Sequence, residues 1–394
     1  MSETVRFGQL FAVPLRNGVS YTTEQRGTGI PMVNMREIFA YDRISDQECE
    51  LAPLTAREQE SSLLADGDLL FARQSLTYEG AGKCVLVLPS DTPRTWESHL
   101  MRVRLDRKLA SPDFFYYYFR SVRGRQSIET IIQQVAAAGI RGSDLARLPV
   151  PSVPLAEQWA IAQVLGALDD KIAANDTLAR VADEWVRAGF DALSRDAAEV
   201  RTIGELVAVR RDQVSPGSLA AETLYVGLEH VPRRRMWLGE VGSAADVTSN
   251  KSRFEQGDIL FGKLRPYFHK VVSVSYPGVC STDILVLPPI DPALSGFAMA
   301  AVASDSVVRD VTSASEGTRM PRSNWKDLAS VQVPWPGLAA AKNFSVAVSA
   351  VRQSVESRLR ENRTLAATRD ALLPALMSGK LRMRDAEKVL EGVL

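Results

Sequence analysis

Asp66-Gly67-Asp68-Leu69-Leu70-Phe71-Ala72-Arg73 reappears 190 residues later as Gln256-Gly257-Asp258-Ile259-Leu260-Phe261-Gly262-Lys263. Two further matches keep the same order. Asp144-Leu145-Ala146-Arg147-Leu148-Pro149-Val150-Pro151 aligns with Asp327-Leu328-Ala329-Ser330-Val331-Gln332-Val333-Pro334. Asn175-Asp176-Thr177-Leu178-Ala179 aligns with Asn362-Arg363-Thr364-Leu365-Ala366. One such match could be chance; three in order point to an internal repeat with a period near half of the 394 residues.

Each half changes texture part-way. Residues 1–152 and 198–335 carry short apolar runs broken by Gly and Pro, such as Lys83–Pro89 and Asp283–Pro289, which read as strands. The segments 155–195 and 338–376 are nearly free of Pro and Gly and read as long helices. Pro149, Pro151 and Pro154 punctuate one boundary, Pro334 and Pro336 the other. The expected domains are therefore 1–152, a helix over 153–197, a second mixed domain over 198–335, and a helix with its tail over 336–394. In the first helix Ile161, Leu165, Leu168, Ile172, Asn175, Ala179, Ala182 and Val186 follow alternating steps of four and three, the seam of a coiled coil. Val348, Val351, Val355, Asn362, Leu365 and Leu372 form a similar stripe in the second. Periodicity alone also allows two amphipathic helices, each packed on its own domain. The shared register favours pairing, with Asn175 and Asn362 as polar seam positions.

Composition bounds the function. Hydrophobic residues make up 45% and charged residues 24%, as in an ordinary globular protein. No apolar run approaches the roughly 20 residues of a membrane span, and Met1–Gly8 has no signal pattern, so a cytoplasmic location is expected. Cys49, Cys84 and Cys280 lie far apart, as do the three histidines, which argues against a disulfide framework and against a metal site. Lys plus Arg equal Asp plus Glu at 47 each, which counts against a DNA binder unless the basic residues cluster.

The junction Leu148-Pro149-Val150-Pro151-Ser152-Val153-Pro154-Leu155-Ala156-Glu157-Gln158, followed by Ile161, Leu165, Leu168, Asp169, Asp170, Lys171 and Ile172, resembles that of Type I restriction-modification specificity subunits. There a target recognition domain passes through a proline-rich strand and Pro-x-x-Glu-Gln into a central helix ending in Leu-Asp-x-x-Ile. Leu372–Leu381 resembles the family's second conserved region, and Ile203-Gly204-Glu205-Leu206 its lead into a domain. The second junction, Val333–Leu338, lacks the Glu-Gln pair. The resemblance implies an α+β fold with two pseudo-repeated mixed α/β target recognition domains separated by two long antiparallel coiled-coil helices. It implies a non-catalytic subunit that reads a bipartite, asymmetric site in double-stranded DNA. It further implies docking to methyltransferase subunits, two of them, and to motor and nuclease (restriction) subunits. S-adenosylmethionine would sit on the methyltransferase, and this chain would hold no cofactor of its own.

The motifs of catalysis point the same way. An amino-methyltransferase needs a polar residue before Pro-Pro-Tyr/Phe, and the only adjacent prolines, Pro288-Pro289, follow Leu287. Gly80-Ala81-Gly82-Lys83 lacks most of a phosphate loop. No catalytic or metal-binding residue is assigned. Base reading needs Arg or Lys for guanine and Asn or Gln for adenine. Such residues stand at matched positions after the shared strand: Arg73, Gln74 and Ser75 in one half, Lys263 and Arg265 in the other. Before the shared Asp-Leu-Ala come Arg141 and, in the other half, Arg319 and Arg322. These eight are the candidate DNA contacts. Glu157, Gln158, Ile161, Leu165, Leu168, Ile172, Asn175, Val351, Val355, Asn362 and Leu365 are the candidates for helix pairing and partner docking. Met101–Arg125 holds seven basic residues against Asp106 and Asp113, around the run Phe114–Phe119. That run reads as a buried helix or strand rather than a stacking surface. Arg233-Arg234-Arg235 reads as an exposed turn within reach of phosphate. Two other readings stay open: a coiled-coil protein–protein adaptor without sequence-specific DNA binding, which neutrality suits, and a nuclease whose site is unrecognised.

Overall fold

The structure, a computed structural model, describes residues 3–134, 137–314 and 321–379. It falls into two compact units. One comprises the described residues of Met1–Asp170 and Leu365–Leu394, the other those of Lys171–Thr364. The two long helices, Leu155–Arg195 and Leu338–Met377, each contribute to both units.

In the first unit the strand Leu69–Ala72 lies between antiparallel partners Leu100–Val103 and Cys84–Val87 in a five-stranded sheet closed by Arg16–Asn17 and Arg43–Ile44. In the second, Ile259–Gly262 lies between antiparallel Ile284–Leu287 and Val271–Ser273. All four residues of both central strands are buried, which is why they read as continuous apolar runs instead of alternating ones.

The Gly-Asp before each strand anchors the turn that leads into it. Gly67 and Gly257 adopt φ of +82° and +92°, open to glycine at little cost. The buried Asp68 carboxylate accepts the Ala65 N–H (2.8 Å) and both Nε and Nη2 of Arg104 (2.7 Å each). Asp258 accepts the Glu255 N–H (2.8 Å) and the Arg210 fork (3.0 and 3.2 Å). The proline-marked boundaries are two-stranded ladders: Thr4–Arg6 pairs with Pro149–Pro151, and Glu199–Thr202 with Gln332–Trp335. Both strands of a two-stranded ladder are edge strands, whose alternate N–H positions face away from the partner, and proline is tolerated there.

Phe114–Phe119 falls in the helix Pro112–Arg120, with every ring buried and Ser111 Oγ accepting the Phe114 N–H. Gln158 reaches the same turn from the long helix. Its Oε1 accepts the Ser111 N–H (2.9 Å) and its Nε2 donates to Val153 O (2.8 Å). In the second unit, where the Glu-Gln pair is missing, Ser345 makes a comparable link, its Oγ accepting the buried Phe297 N–H (2.9 Å). Gly296 allows this approach, since a Cβ there would sit 2.8 Å from Ser345 Cα.

Candidate nucleic-acid interface

The loop after each central strand is held by the same hydrogen bonds. Arg73 N–H donates to His99 O (2.8 Å) while Arg73 O accepts from Ile140 N–H (2.9 Å). Lys263 N–H donates to Asp283 O (2.8 Å) while Lys263 O accepts from Ser323 N–H (2.9 Å). Each loop is thereby zipped to the segment leading into the shared Asp-Leu-Ala helix. Residues about 60 to 70 positions apart in sequence become neighbours.

In the first unit this zipping opens a concavity lined by Asn17, Arg73, Gln74, Gln133 and Arg141. The guanidiniums of Arg73 and Arg141 have no hydrogen-bond or ion-pair partner among the described residues. Ser75 lies beside the concavity; its Oγ accepts the Thr77 N–H (3.2 Å). Forked donors next to side-chain amides are the set that distinguishes guanine and adenine edges. Sequence reading missed Asn17 and Gln133. Asn17 enters only because Arg16–Asn17 adds to the edge of Leu100–Val103.

The corresponding concavity of the second unit is lined by Arg211, Gln213, Lys263, Asp283, Arg322 and Asn324, among others. Burial holds the Lys263 ammonium below its ordinary pKa, and the Asp283 carboxylate opposes that shift. Arg322 pairs with Asp283. Arg265 stands outside the concavity, its guanidinium over the Phe268 ring at 5.8 Å. Arg319 lies outside the described residues.

The other basic segments are engaged internally. Arg104 binds Asp68, Arg107 binds Asp66 and Arg120 binds Asp42. Arg233 covers Phe268 at 3.8 Å, Arg234 binds Asp305 and Arg235 binds Asp183. Lys83 of the glycine-rich turn binds Asp42. An overall neutral charge thus coexists with unpaired cations in the first concavity.

On the long helices Ile161, Leu165, Leu168, Asn175, Val355 and Leu365 are buried, Ile172, Val351 and Asn362 are partly buried, and Glu157 is exposed. Asn175 Nδ2 donates to Asn362 Oδ1 (2.8 Å) and Glu361 Oε2 (3.0 Å), and Asn362 Nδ2 donates to Asp176 Oδ1 (3.0 Å). Within the first unit Asp169 accepts from Tyr117 Oη (2.7 Å) and Arg369 Nη1 (2.6 Å). Trp185 stacks on Phe344 at 6.3 Å in the second.

No known family profile matches the chain. It is 33% identical over 93 residues to the EcoDI specificity subunit of a Type I restriction enzyme from Escherichia coli, covering 23% of this chain and 20% of that one. It is 26% identical over 166 residues to the EcoKI specificity subunit of Escherichia coli K12, covering 42% of this chain and 35% of that one. The fold matches the crystal structure of a Type I restriction-modification S subunit from M. genitalium over 95% of both chains, with a TM-score of 0.57 and 16% identity. Over those segments the chain is similar to Type I specificity subunits, and its fold is like that of the S subunit. The matched segments span between a fifth and about a third of those curated relatives' own length. Among the described residues, no helix is long and apolar enough to cross a membrane. No cluster of three or more His, Cys, Asp or Glu that could hold a metal stands among them either.

Proposed function

We propose that this chain reads DNA sequence for a Type I restriction-modification complex and performs no chemistry itself. Each unit carries one target recognition domain, the two derived from an internal duplication, and each reads half of a bipartite, asymmetric duplex site. The observation that carries the reading is the recurrence of one device in both halves: a buried strand, a Gly-Asp turn before it, and a cation-bearing loop zipped onto a second loop. The long helices pair antiparallel as a coiled coil, and support comes from contacts that run in opposite senses: Asp169 with Arg369, Asn175 with Asn362, Trp185 with Phe344. The outer faces of these helices dock methyltransferase subunits, which supply S-adenosylmethionine chemistry at adenine N6, and restriction subunits join them in the cytoplasm.

The test is a map of N6-methyladenine in host DNA with and without this chain. Methylation at one split motif should vanish with the chain and return when it is restored. Purified alone with S-adenosylmethionine, the chain should transfer no methyl group; with cognate methyltransferase subunits it should direct transfer to that motif. An unchanged methylome, or methylation by the chain alone, overturns the proposal.

A further inference from the structure

Two large apolar side chains stand in the open at the tips of the candidate reading loops. Leu76, three residues after Arg73, is 99% exposed, and Tyr267, four residues after Lys263, is 52% exposed. A single exposed apolar residue is ordinary on a protein surface. Two at corresponding places, each on a loop that also carries base-reading candidates, are not explained that way.

Both tips are held rigid from beneath. Around Leu76, Ser75 Oγ accepts the Thr77 N–H (3.2 Å), Thr77 Oγ1 accepts the Gly80 N–H (3.2 Å), and Arg125 Nη2 donates to Tyr78 O (2.9 Å). Tyr267 lies in the short turn Pro266–Phe268, flanked by Arg265 and His269, both at φ of +52°. The only other non-glycine residue with positive φ among the described residues is Arg234, whose N–H donates to His269 O (2.9 Å). Backbone strain therefore concentrates at this one turn. The surroundings enforce it: Arg265 N–H donates to Pro321 O, the buried His269 ring bonds Ala303 O, and Arg233 covers Phe268. Strain persists where the structure over-determines it and where a side chain must be aimed. Here it aims a phenol ring outward.

We infer that Leu76 and Tyr267 are wedge residues that enter a base step, one in each half-site, when the loops engage the duplex. This rests on the DNA-reading function proposed above. A rigid apolar side chain suits such a role because opening a base step costs a few kcal/mol, and pre-ordering spares further entropy loss on binding. Leucine would act by prying a step apart; tyrosine would in addition stack on a base face.

The test uses the full chain with its methyltransferase subunits and the split site identified by methylation mapping. Duplexes carry a single backbone nick, moved one step at a time across both half-sites, so that one step is already free to open. Binding should strengthen about tenfold at one step per half-site, as expected when part of the opening cost is removed. Leu76→Ala should erase the gain in one half-site alone, and Tyr267→Ala in the other alone. Site-specific binding without a gain at any nick, or a gain that survives both substitutions, overturns the wedge and leaves the reading function standing. Absence of any preference for the mapped site overturns both.

Discussion

Arg73 and Lys263 occupy one position in two frames, yet they are different tools. The Arg73 fork can grip guanine O6 and N7 together, whereas the Lys263 ammonium is a point charge beside Asp283. Arg73→Ala should relax discrimination at one base pair of one half-site by about 1–3 kcal/mol, with Lys263→Ala affecting the other half-site alone. Competition binding against single-base variants of the site measures this. A uniform loss across all sequences would instead make these residues phosphate contacts.

At the scale of elements, the long helix Leu155–Arg195 is tied to the second unit by a buried carboxylate. Asp183 accepts the Met236 N–H (2.9 Å) and lies 2.7 Å from Arg235 Nε. Burial pushes its pKa up from 3.8 to about 6, against the pull of the Met236 N–H and Arg235. A carboxyl whose pKa is higher folded than unfolded favours the native state while protonated. Its stabilisation is full below about pH 4 and is lost as pH rises towards 6. Asp183→Asn should remove that fall, worth on the order of 3 kcal/mol between the two limits. Urea unfolding of the full chain and the variant across pH 4 to 7 reads the difference, and parallel pH profiles would refute it.

For the whole molecule, the proposed antiparallel helix pair makes the helices a spacer that sets the distance between the two half-sites, and this spacer can be lengthened without touching either unit's core. Ala179 belongs to the buried apolar cluster of the second unit, so an insertion there would disrupt packing. The stretch between the Asp169–Arg369 pair and the Asn175–Asn362 pair avoids it. Inserting one heptad after Lys171 and another after Ala366 preserves the seam period. It adds about 10 Å of helix, equal to roughly three base pairs. The methylated motif should keep the bases of both halves and gain about three unread positions between them. A folded variant that methylates the original spacing would show that the helices do not set it.

How much was legible in the sequence follows from the range of the forces involved. The helices at 155–195 and 338–376 were legible because a 3.5-residue seam and a scarcity of Gly and Pro are local signals; the observed spans are Leu155–Arg195 and Leu338–Met377. The strands within 83–89 and 283–289 were legible as short apolar runs between turn residues. The aromatic run declared itself buried by composition alone. Other features needed the third dimension. Asp68 and Asp258 stand out in sequence only as repeated letters; burial and the Arg104 and Arg210 forks make them anchors. Arg233, Arg234 and Arg235 read as an exposed turn, and Arg233 and Arg234 are exposed in one, but only folding shows Phe268, Asp305 and Asp183 lying against the three. Asn17 joins the first concavity through an edge strand pairing some 80 residues distant. By itself the sequence determined the two long helices, the apolar runs that form buried strands, and the recurrence of the Gly-Asp-apolar motif, because those depend on periodicity and composition along the chain. Tertiary structure decided which charges remain unpaired and which side chains share a concavity, because ion pairing and burial are settled by contacts between segments that sequence order keeps apart.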